Sequence, residues 1–140
     1  MFKHILVGLD GSDGARRALE RTLALARLTG ARVTALSVEE RLPAYAATVG
    51  EVQDEQRFEN QYFRQVQAAA DAAAAAAGVP ISHEVSPGHA AQLLVRRAGE
   101  LGCDLIVLGH TGHSRIHNLF LGSTADRVVE HASCAVLVVR

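Results

Sequence analysis

The sequence has few cysteines and no excess of charge of one sign, and these two features exclude a disulfide-linked secreted fold and a general nucleic-acid-binding protein. The chain of 140 residues contains only two cysteines, Cys103 and Cys134, which are too few to cross-link a small secreted fold. It has no excess of one charge either, since 14 Lys and Arg stand against 15 Asp and Glu for a formal net charge of −1. A protein without a basic field lacks the attraction that drives non-specific binding to nucleic acids. We therefore expect reduced and packed thiols, a cytoplasmic location and no nucleic-acid partner.

Long apolar runs are absent as well. The apolar stretch near the amino terminus covers residues 5–9 and is shorter than the roughly 7–15 residues of a secretory signal. Residues 68–78 are mostly alanine but include Asp71, and they fall short of the roughly 20 apolar residues that cross a bilayer. We expect no membrane partner. A composition of 49% hydrophobic and 21% charged residues instead predicts one globular domain over residues 1–140.

Apolar runs of strand length alternate with amphipathic segments along the chain. The predicted strands are residues 5–9, 33–38, 81–85, 105–108 and 136–139. The predicted helices run from Ser12 to Gly30, from about residue 51 to 77, over residues 93–101, and from near Ser123, with Ala125, Val128, Val129 and Ala132 on one face. Residues 41–50 are predicted to form a loop. This alternation predicts an α/β fold of the doubly wound, three-layer class, with a parallel sheet covered by helices on both faces.

A glycine-rich segment between the fourth strand and the last helix is the main candidate for binding chemistry. It begins at Gly109, contains Gly112 and ends with Gly122, Ser123 and Thr124. Glycines let backbone N–H groups approach an anion, and the two hydroxyl groups stand at the positive end of a helix dipole. The segment therefore predicts phosphate binding, although its spacing matches neither the Walker pattern nor the dinucleotide fingerprint.

The first strand ends at a second candidate, Asp10, which is followed by Gly11 and Ser12. Ligands of doubly wound sheets lie at the carboxyl ends of strands, where the strand order reverses. If the first and fourth strands are neighbours, Asp10 and Gly109 line one crevice. An aspartate before Gly-Ser is also a common turn by itself, so both roles stay open for Asp10.

Three segments, taken together and in order, resemble the universal stress proteins of ATP-binding type. They are residues 5–12, the glycines Gly109, Gly112 and Gly122 with Ser123, and residues 134–139. The resemblance covers essentially the whole chain and implies a five-stranded parallel sheet in the order 3-2-1-4-5, with ATP held across the ends of strands one, two and four. It implies that Asp10 lies near the ribose and phosphates and Val38 against the adenine. It also implies a phosphate loop made of Gly109, Gly112, Gly122, Ser123 and Thr124.

Histidines in this loop suggest a competing interpretation. His110, His113 and His117 have a spacing that could serve a transition metal, but the loop contains no Asp or Glu to complete the ligand set. We therefore predict no metal and place His113 among the nucleotide-binding residues. His110 and Thr111 depart from the small or basic residues that the family carries between its first two glycines, which leaves the individual phosphate contacts open.

The predicted function is nucleotide binding by a regulatory protein. The expected ligand is ATP, alone or with Mg²⁺, or another adenine nucleotide. We recognise no catalytic set, because hydrolysis needs a group that positions water and cations that stabilise the transferring phosphoryl group, and the loop offers only Arg115 and histidines. The open alternatives are slow ATP hydrolysis and a nucleotide-free dimer that acts through protein contacts. An adenylating enzyme is disfavoured, because residues 10–14 read Asp-Gly-Ser-Asp-Gly instead of carrying the Ser-Gly-Gly-x-Asp-Ser pattern.

The fifth strand is expected to form a homodimer. In the implied order it lies at an edge of the sheet, and edges usually carry charges, prolines or irregularities that prevent pairing. The strand residues Val136, Leu137, Val138 and Val139 include none of these. Antiparallel pairing of two copies across a two-fold axis would satisfy the exposed backbone, and the family resemblance implies the same arrangement.

Overall fold

The computed structural model describes residues 1–39, 49–111 and 121–140, which form five strands and four helices in strict alternation. The elements are β1 (His4–Gly8), α1 (Asp13–Thr29), β2 (Arg32–Glu39), α2 (Val49–Ala77), β3 (Ile81–Pro87), α3 (Ala90–Leu101), β4 (Leu105–Gly109), α4 (Ser123–His131) and β5 (Ala135–Val139). The strands form one parallel sheet in the order β3-β2-β1-β4-β5. The predicted fold class and strand order are therefore confirmed.

Some element boundaries differ from the sequence prediction. The strand β1 begins and ends one residue earlier than the predicted range 5–9. The strand β3 continues to Pro87, which an edge strand allows because a proline there removes no hydrogen bond from the sheet interior. The helix α2 begins at Val49, so the predicted loop over residues 41–50 is wrong at its last two positions. Its remaining positions lie outside the described residues.

The helix α1 begins and ends where its capping residues predict. Ser12 precedes it in an extended conformation, and its Oγ accepts a hydrogen bond from the Ala15 N–H at 3.1 Å. Gly30 ends the helix with a left-handed φ of 73°, which glycine adopts without strain. Ala18 and Leu23 on the inner face are buried. Local sequence thus fixes both the length of α1 and the face that it presents to the sheet.

The sheet separates two apolar cores. On one face, α1 and α2 cover side chains that include Ile5 and Val7. On the other face, α3 and α4 cover Leu6, Ile106 and Leu108. Successive strand residues point to opposite faces, so a continuous apolar run is needed wherever both faces are covered. This accounts for the apolar runs 5–7 of β1 and 105–108 of β4 near the centre of the sheet.

The helix α4 corrects one prediction about the core. Ala125 and Val128 are buried, but Val129 is 50% exposed. One residue along a helix corresponds to a rotation of about 100°, so Val129 cannot share the face of Val128. Ala132, the last of the residues predicted on that face, packs at the edge of the core and is the C-cap.

The longest helix, α2, has 29 residues. Ala70 and Ala74 pack into the core beside α1, and their small side chains let the helix lie close to its neighbours. Most other described side chains of α2 are exposed. Within the described parts of the chain, no helix combines the length and the apolarity needed to cross a membrane.

The two edges of the sheet differ in chemistry. At the β3 edge, Arg97 of α3 donates two hydrogen bonds to Glu84, with Nε–Oε2 2.9 Å and Nη2–Oε1 2.6 Å. His83 of the same strand has its Nε2 at 3.2 Å from Asp71 Oδ1. The β5 edge is apolar, with Leu137 36% exposed. The prediction that the fifth strand lies at an edge is confirmed.

Candidate functional site

The carboxyl ends of β1 and β4 lie side by side and share a backbone contact. The two strands pair directly, with Val7 opposite Val107. A Cβ on Gly109 would stand 2.7 Å from the carbonyl carbon of Gly14, and a Cβ on Gly14 would collide with the carbonyl oxygen of Thr111. A side chain at either glycine would therefore push the first turn of α1 away from β4. The strand adjacency on which the predicted crevice depends is confirmed.

Packing between β4 and α1 gives a further reason for a glycine at position 109. From the sequence, Gly109 is expected to let the backbone N–H groups of the loop approach an anion. Five of the glycines that the structure describes have a positive φ, and Gly109 is not one of them. Its missing side chain instead makes room for the backbone of Gly14 and the amide nitrogen of Ala15, which a Cβ would approach to 3.1 Å. Gly109 is therefore required by the close contact of two elements.

Asp10 builds the turn that follows β1. Its Oδ1 accepts hydrogen bonds from the backbone N–H of Ser12 at 2.9 Å and from Ser12 Oγ at 2.5 Å. An aspartate that bonds the backbone two residues further on forms an Asx turn. Since Ser12 also caps α1, the Asp10 carboxylate is fixed between the end of β1 and the start of α1. It is half-buried at this position.

Tyr62 of α2 contacts the same turn through its hydroxyl and its ring. No pattern in the sequence had identified this residue as part of the site. Its hydroxyl donates a hydrogen bond to the backbone carbonyl of Asp10. Its ring lies against Gly11, where a Cβ would stand 2.8 Å from Tyr62 Cζ and where φ is 81°. Burial, followed by the nearby Asp10 charge, raises the pKa of Tyr62. No sequence pattern pairs Tyr62 with Gly11, because they are distant in the chain and meet only in the folded protein.

Backbone hydrogen bonds of His110 join the end of β4 to the start of α4 and to the end of β5. The N–H of Gly122 donates to the carbonyl of His110 at 2.8 Å. The N–H of His110 donates to the carbonyl of Val139 at 2.6 Å. These bonds hold Ser123 and Thr124, the first residues of α4, beside the end of β4. Ser123 is exposed and Thr124 is half-buried.

The first turn of α4 differs from that of α1 in its capping. The N-cap of α4 is Gly122, and in the described part of the chain no side chain accepts a hydrogen bond from the first turn. In α1, Ser12 supplies such an acceptor. Uncapped N–H groups and the helix dipole together favour an anion. Of these two helix starts, α4 has the greater need for an external acceptor.

Val38 lies at a neighbouring strand end. It is the residue before the last of β2, is half-buried and packs against the α3 and α4 core. It follows Leu36, the register partner of Gly8, by two residues, just as Asp10 follows Gly8. Val38 and Asp10 therefore lie at the same level of the sheet, and β1 separates Val38 from the β4 side of the crevice.

The remaining predicted residues lie outside the described part of the chain. These are Gly112 and His113, and the loop residues Arg115 and His117 lie there too. Among the side chains that the structure describes, no cluster of three or more His, Cys, Asp or Glu could hold a metal ion. The described candidate site therefore consists of Asp10, Val38, Gly109, Gly122, Ser123 and Thr124, with Tyr62 as its support.

The two cysteines lie at the opposite end of the sheet from this site. Both are free thiols, with Cys103 buried and Cys134 half-buried. Burial is the main cause that raises the pKa of Cys103 to about 11. A thiol with so high a pKa is protonated at neutral pH and is a poor nucleophile. Cys103 therefore acts as an apolar packing residue.

Comparison with known proteins assigns the chain to a family. The sequence profile of the universal stress protein family matches residues 1–140. A universal stress protein from Thermus aquaticus is 37% identical over 141 residues, which cover 100% of both chains. The structure of the universal stress protein UspA from Lactobacillus plantarum superposes with a TM-score of 0.78 at 32% identity, over 99% of this chain and 97% of that one. A universal stress protein solved in complex with cAMP gives a TM-score of 0.77 at 27% identity, over 99% and 97% of the two chains. The chain therefore belongs to the universal stress protein family.

Proposed function

We propose that this protein binds an adenine nucleotide across the carboxyl ends of β1, β2 and β4 and acts as a nucleotide-dependent regulatory protein. The observation that carries the proposal is the backbone contact between Gly14 and Gly109. It brings the turn after β1 and the loop after β4 to one place, at the point where the strand order reverses. In doubly wound sheets this point is where ligands bind.

The phosphates lie at the start of α4. The first turn of this helix has no side-chain cap among the described residues, and Ser123 and Thr124 add two hydroxyl donors there. An anion at this position satisfies N–H groups and interacts favourably with the helix dipole. Gly112 completes the phosphate loop in this proposal on the strength of the family resemblance, and His113 is placed beside the phosphates as a histidine of the same loop.

The nucleoside lies over β1 and β2. Val38 offers an apolar surface to the adenine base, and Asp10 accepts hydrogen bonds from the ribose hydroxyls. The relative solved with cAMP supports an adenine nucleotide as the ligand. ATP is the adenine nucleotide that the family resemblance implies. Because the Asp10 carboxylate repels a triphosphate, we infer that Mg²⁺ accompanies ATP.

The protein acts by binding, and any hydrolysis of ATP is slow. The described strand ends carry two carboxylates, Asp10 after β1 and Glu39 at the end of β2. Asp10 Oδ1 is engaged by Ser12, and Glu39 is buried. Rapid hydrolysis needs a group that positions water together with cationic stabilisation of the phosphoryl group. Within the described site no residue is assigned to either role. The two free thiols support a reducing compartment, and we infer that the protein is cytoplasmic.

Two copies of the chain pair through the β5 edge. The strand hydrogen-bonds to β4 along its whole length, and it is the last strand of the sheet, so its other side faces away from the sheet. Leu137 is an exposed apolar residue on this strand. A second copy of β5, antiparallel across a two-fold axis, pairs with the backbone and covers the apolar side chain.

Titration calorimetry with ATP, ADP, AMP, cAMP and GTP tests the nucleotide proposal. We expect saturable binding of adenine nucleotides, and at least about tenfold weaker ATP binding in the double variant Ser123→Ala and Thr124→Ala, since hydrogen bonds to charged groups contribute about 1.5–3 kcal/mol. The matched control is Ser133→Ala, an exposed serine just beyond the carboxyl end of α4. Equal ATP affinity in all three proteins would contradict the phosphate site. Absence of any nucleotide binding would favour the protein-interaction alternative.

A further inference from the structure

A cavity lies on the opposite face of the sheet from α4. It has a volume of about 290 Å³ and lies between α1 and the carboxyl end of β5. It is lined by Arg17, Glu20, Arg21, Ala24, Val139 and Arg140. Half of the lining residues are therefore arginines.

The cavity lining carries more positive than negative charge, since three arginines stand against one carboxylate, Glu20. Glu20 pairs with Arg16, a residue outside the cavity lining, with Nη1–Oε1 3.4 Å. Among the ion pairs of the described residues, none involves Arg17, Arg21 or Arg140. Like charges brought together around one cavity repel each other. A bound anion would relieve that repulsion.

The geometry of the cavity suits a small oxyanion. Arg17 and Arg21 are four residues apart on α1, so their side chains lie on one face of the helix. Arg140 approaches from the end of β5, and Val139, which is 8% exposed, supplies an apolar wall. Guanidinium groups bind phosphate oxygens with two parallel hydrogen bonds. The volume lies near the lower end of the range of about 300–1,000 Å³ for small-molecule sites.

We propose that this cavity is a second anion site, which takes a small phosphate-bearing ligand with two or more negative charges. It borders the nucleotide site without coinciding with it. Val139 is the register partner of Gly109, but Arg17 and Arg21 belong to α1, on the face of the sheet opposite α4. The proposal does not depend on nucleotide binding. Its ligand is recognised by three guanidinium groups, whereas the nucleotide phosphates are held by backbone N–H groups and hydroxyls.

Inorganic pyrophosphate is the probe, titrated by calorimetry into the full chain. The Ser123→Ala and Thr124→Ala background weakens binding of the probe at the proposed nucleotide site. On that background we expect saturable binding, and at least about tenfold weaker binding after Arg17→Gln and Arg21→Gln. The matched control is Arg27→Gln with Arg64→Gln, which removes the same charge from α1 and α2 at exposed positions outside the cavity. We expect this control to keep the affinity within about twofold of the background protein, since substitutions without a shared partner, more than about 7–10 Å from a site, act nearly independently of it.

Two observations would overturn the proposal. One is equal weakening in the cavity variant and the control variant, which would show that net charge alone attracts the probe. The other is the absence of saturable pyrophosphate binding. Arginine Nε–Hε signals in NMR spectra provide a second readout. The signals that are missing from the spectrum of the cavity variant belong to Arg17 and Arg21, and these signals should shift when pyrophosphate is added to the background protein. Circular dichroism of both variants checks that these surface substitutions leave the fold intact.

Discussion

The backbone of Gly14 packs against the backbone of Gly109, so the first turn of α1 touches the end of β4 with no side chain between them. Two loops that are far apart in the sequence meet at this contact. The turn at Asp10 precedes α1, and the glycine-rich segment follows β4. The candidate nucleotide site depends on this close approach, which only a pair of glycines permits.

Replacement of Gly14 by alanine should destabilise the protein. A Cβ there collides with the carbonyl oxygen of Thr111, and overpacking of this kind typically costs about 1–3 kcal/mol. The control is Gly99→Ala in α3, where a Cβ meets no atom within 4 Å. There the better helix propensity of alanine should stabilise the protein by about 0.5–1 kcal/mol. Urea denaturation measures both values, and equal effects of the two substitutions would refute the contact.

Tyr62 should titrate above the ordinary tyrosine value of 10.0, because burial and the Asp10 charge raise its pKa. The variant Tyr45→Phe leaves Tyr62 as the only tyrosine, since the chain has two, and phenolate absorbance then reports Tyr62 alone. Above about pH 10 the unfolded chain loses this proton while the folded chain keeps it. The free energy of unfolding should therefore fall as the pH rises through that range. Adding Tyr62→Phe should remove this part of the alkaline dependence.

The elements of the fold could be predicted from the sequence, and the contacts between them only in part. Apolar runs such as residues 105–108 identify strands buried on both faces, and Ser12 and Gly30 mark the ends of α1 by local chemistry. The strand order came from the family resemblance. Nothing in the residues around Gly14 identifies Thr111 and Gly109 as its neighbours, because a close approach is a property of the tertiary structure.

The directions of individual side chains were also predicted only in part from the sequence. The apolar spacing of α4 predicts Val129 on one face with Ala125 and Val128, but the helix turns it outward and it is 50% exposed. Tyr62 supports the Asp10 turn from a helix distant in sequence. Periodicity identifies faces only approximately, and it does not show which turn an aromatic side chain will reach. The role of Asp10 in its turn, by contrast, follows from its own neighbour Ser12.

The substitution Leu137→Lys should convert a β5-paired dimer into monomers. Two copies paired antiparallel near this position would bring the two lysines together, and lysine on an edge strand opposes pairing. The matched control is Val85→Lys, which changes an exposed apolar residue of the opposite edge strand, 45% exposed against 36% for Leu137. Light scattering after size exclusion should give twice 14.9 kDa for the wild type and the control. A monomeric wild type at low micromolar concentration, or a dimeric Leu137→Lys, would exclude the β5 dimer.

Neutralising Asp10 should weaken the dependence of ATP binding on Mg²⁺. Asparagine keeps an Oδ1 acceptor for Ser12, so Asp10→Asn preserves the turn while it removes the negative charge. We expect the ratio of ATP dissociation constants without and with Mg²⁺ to fall about tenfold, which corresponds to loss of one charge interaction near the phosphates. AMP is the control ligand, because it carries fewer phosphate groups and should show a smaller Mg²⁺ effect in both proteins. An unchanged ratio would remove Asp10 from the nucleotide site.

Backbone amide NMR during ATP titration tests the central claim most directly. Binding across the ends of β1, β2 and β4 should produce the largest chemical-shift changes at the amides of Gly109, Ser123 and Thr124, with further changes at Val38 and Asp10. The amides of Cys103 and Cys134, which lie at the opposite end of the sheet, should change little. Saturable ATP binding that leaves the Gly109, Ser123 and Thr124 amides unchanged would contradict the account.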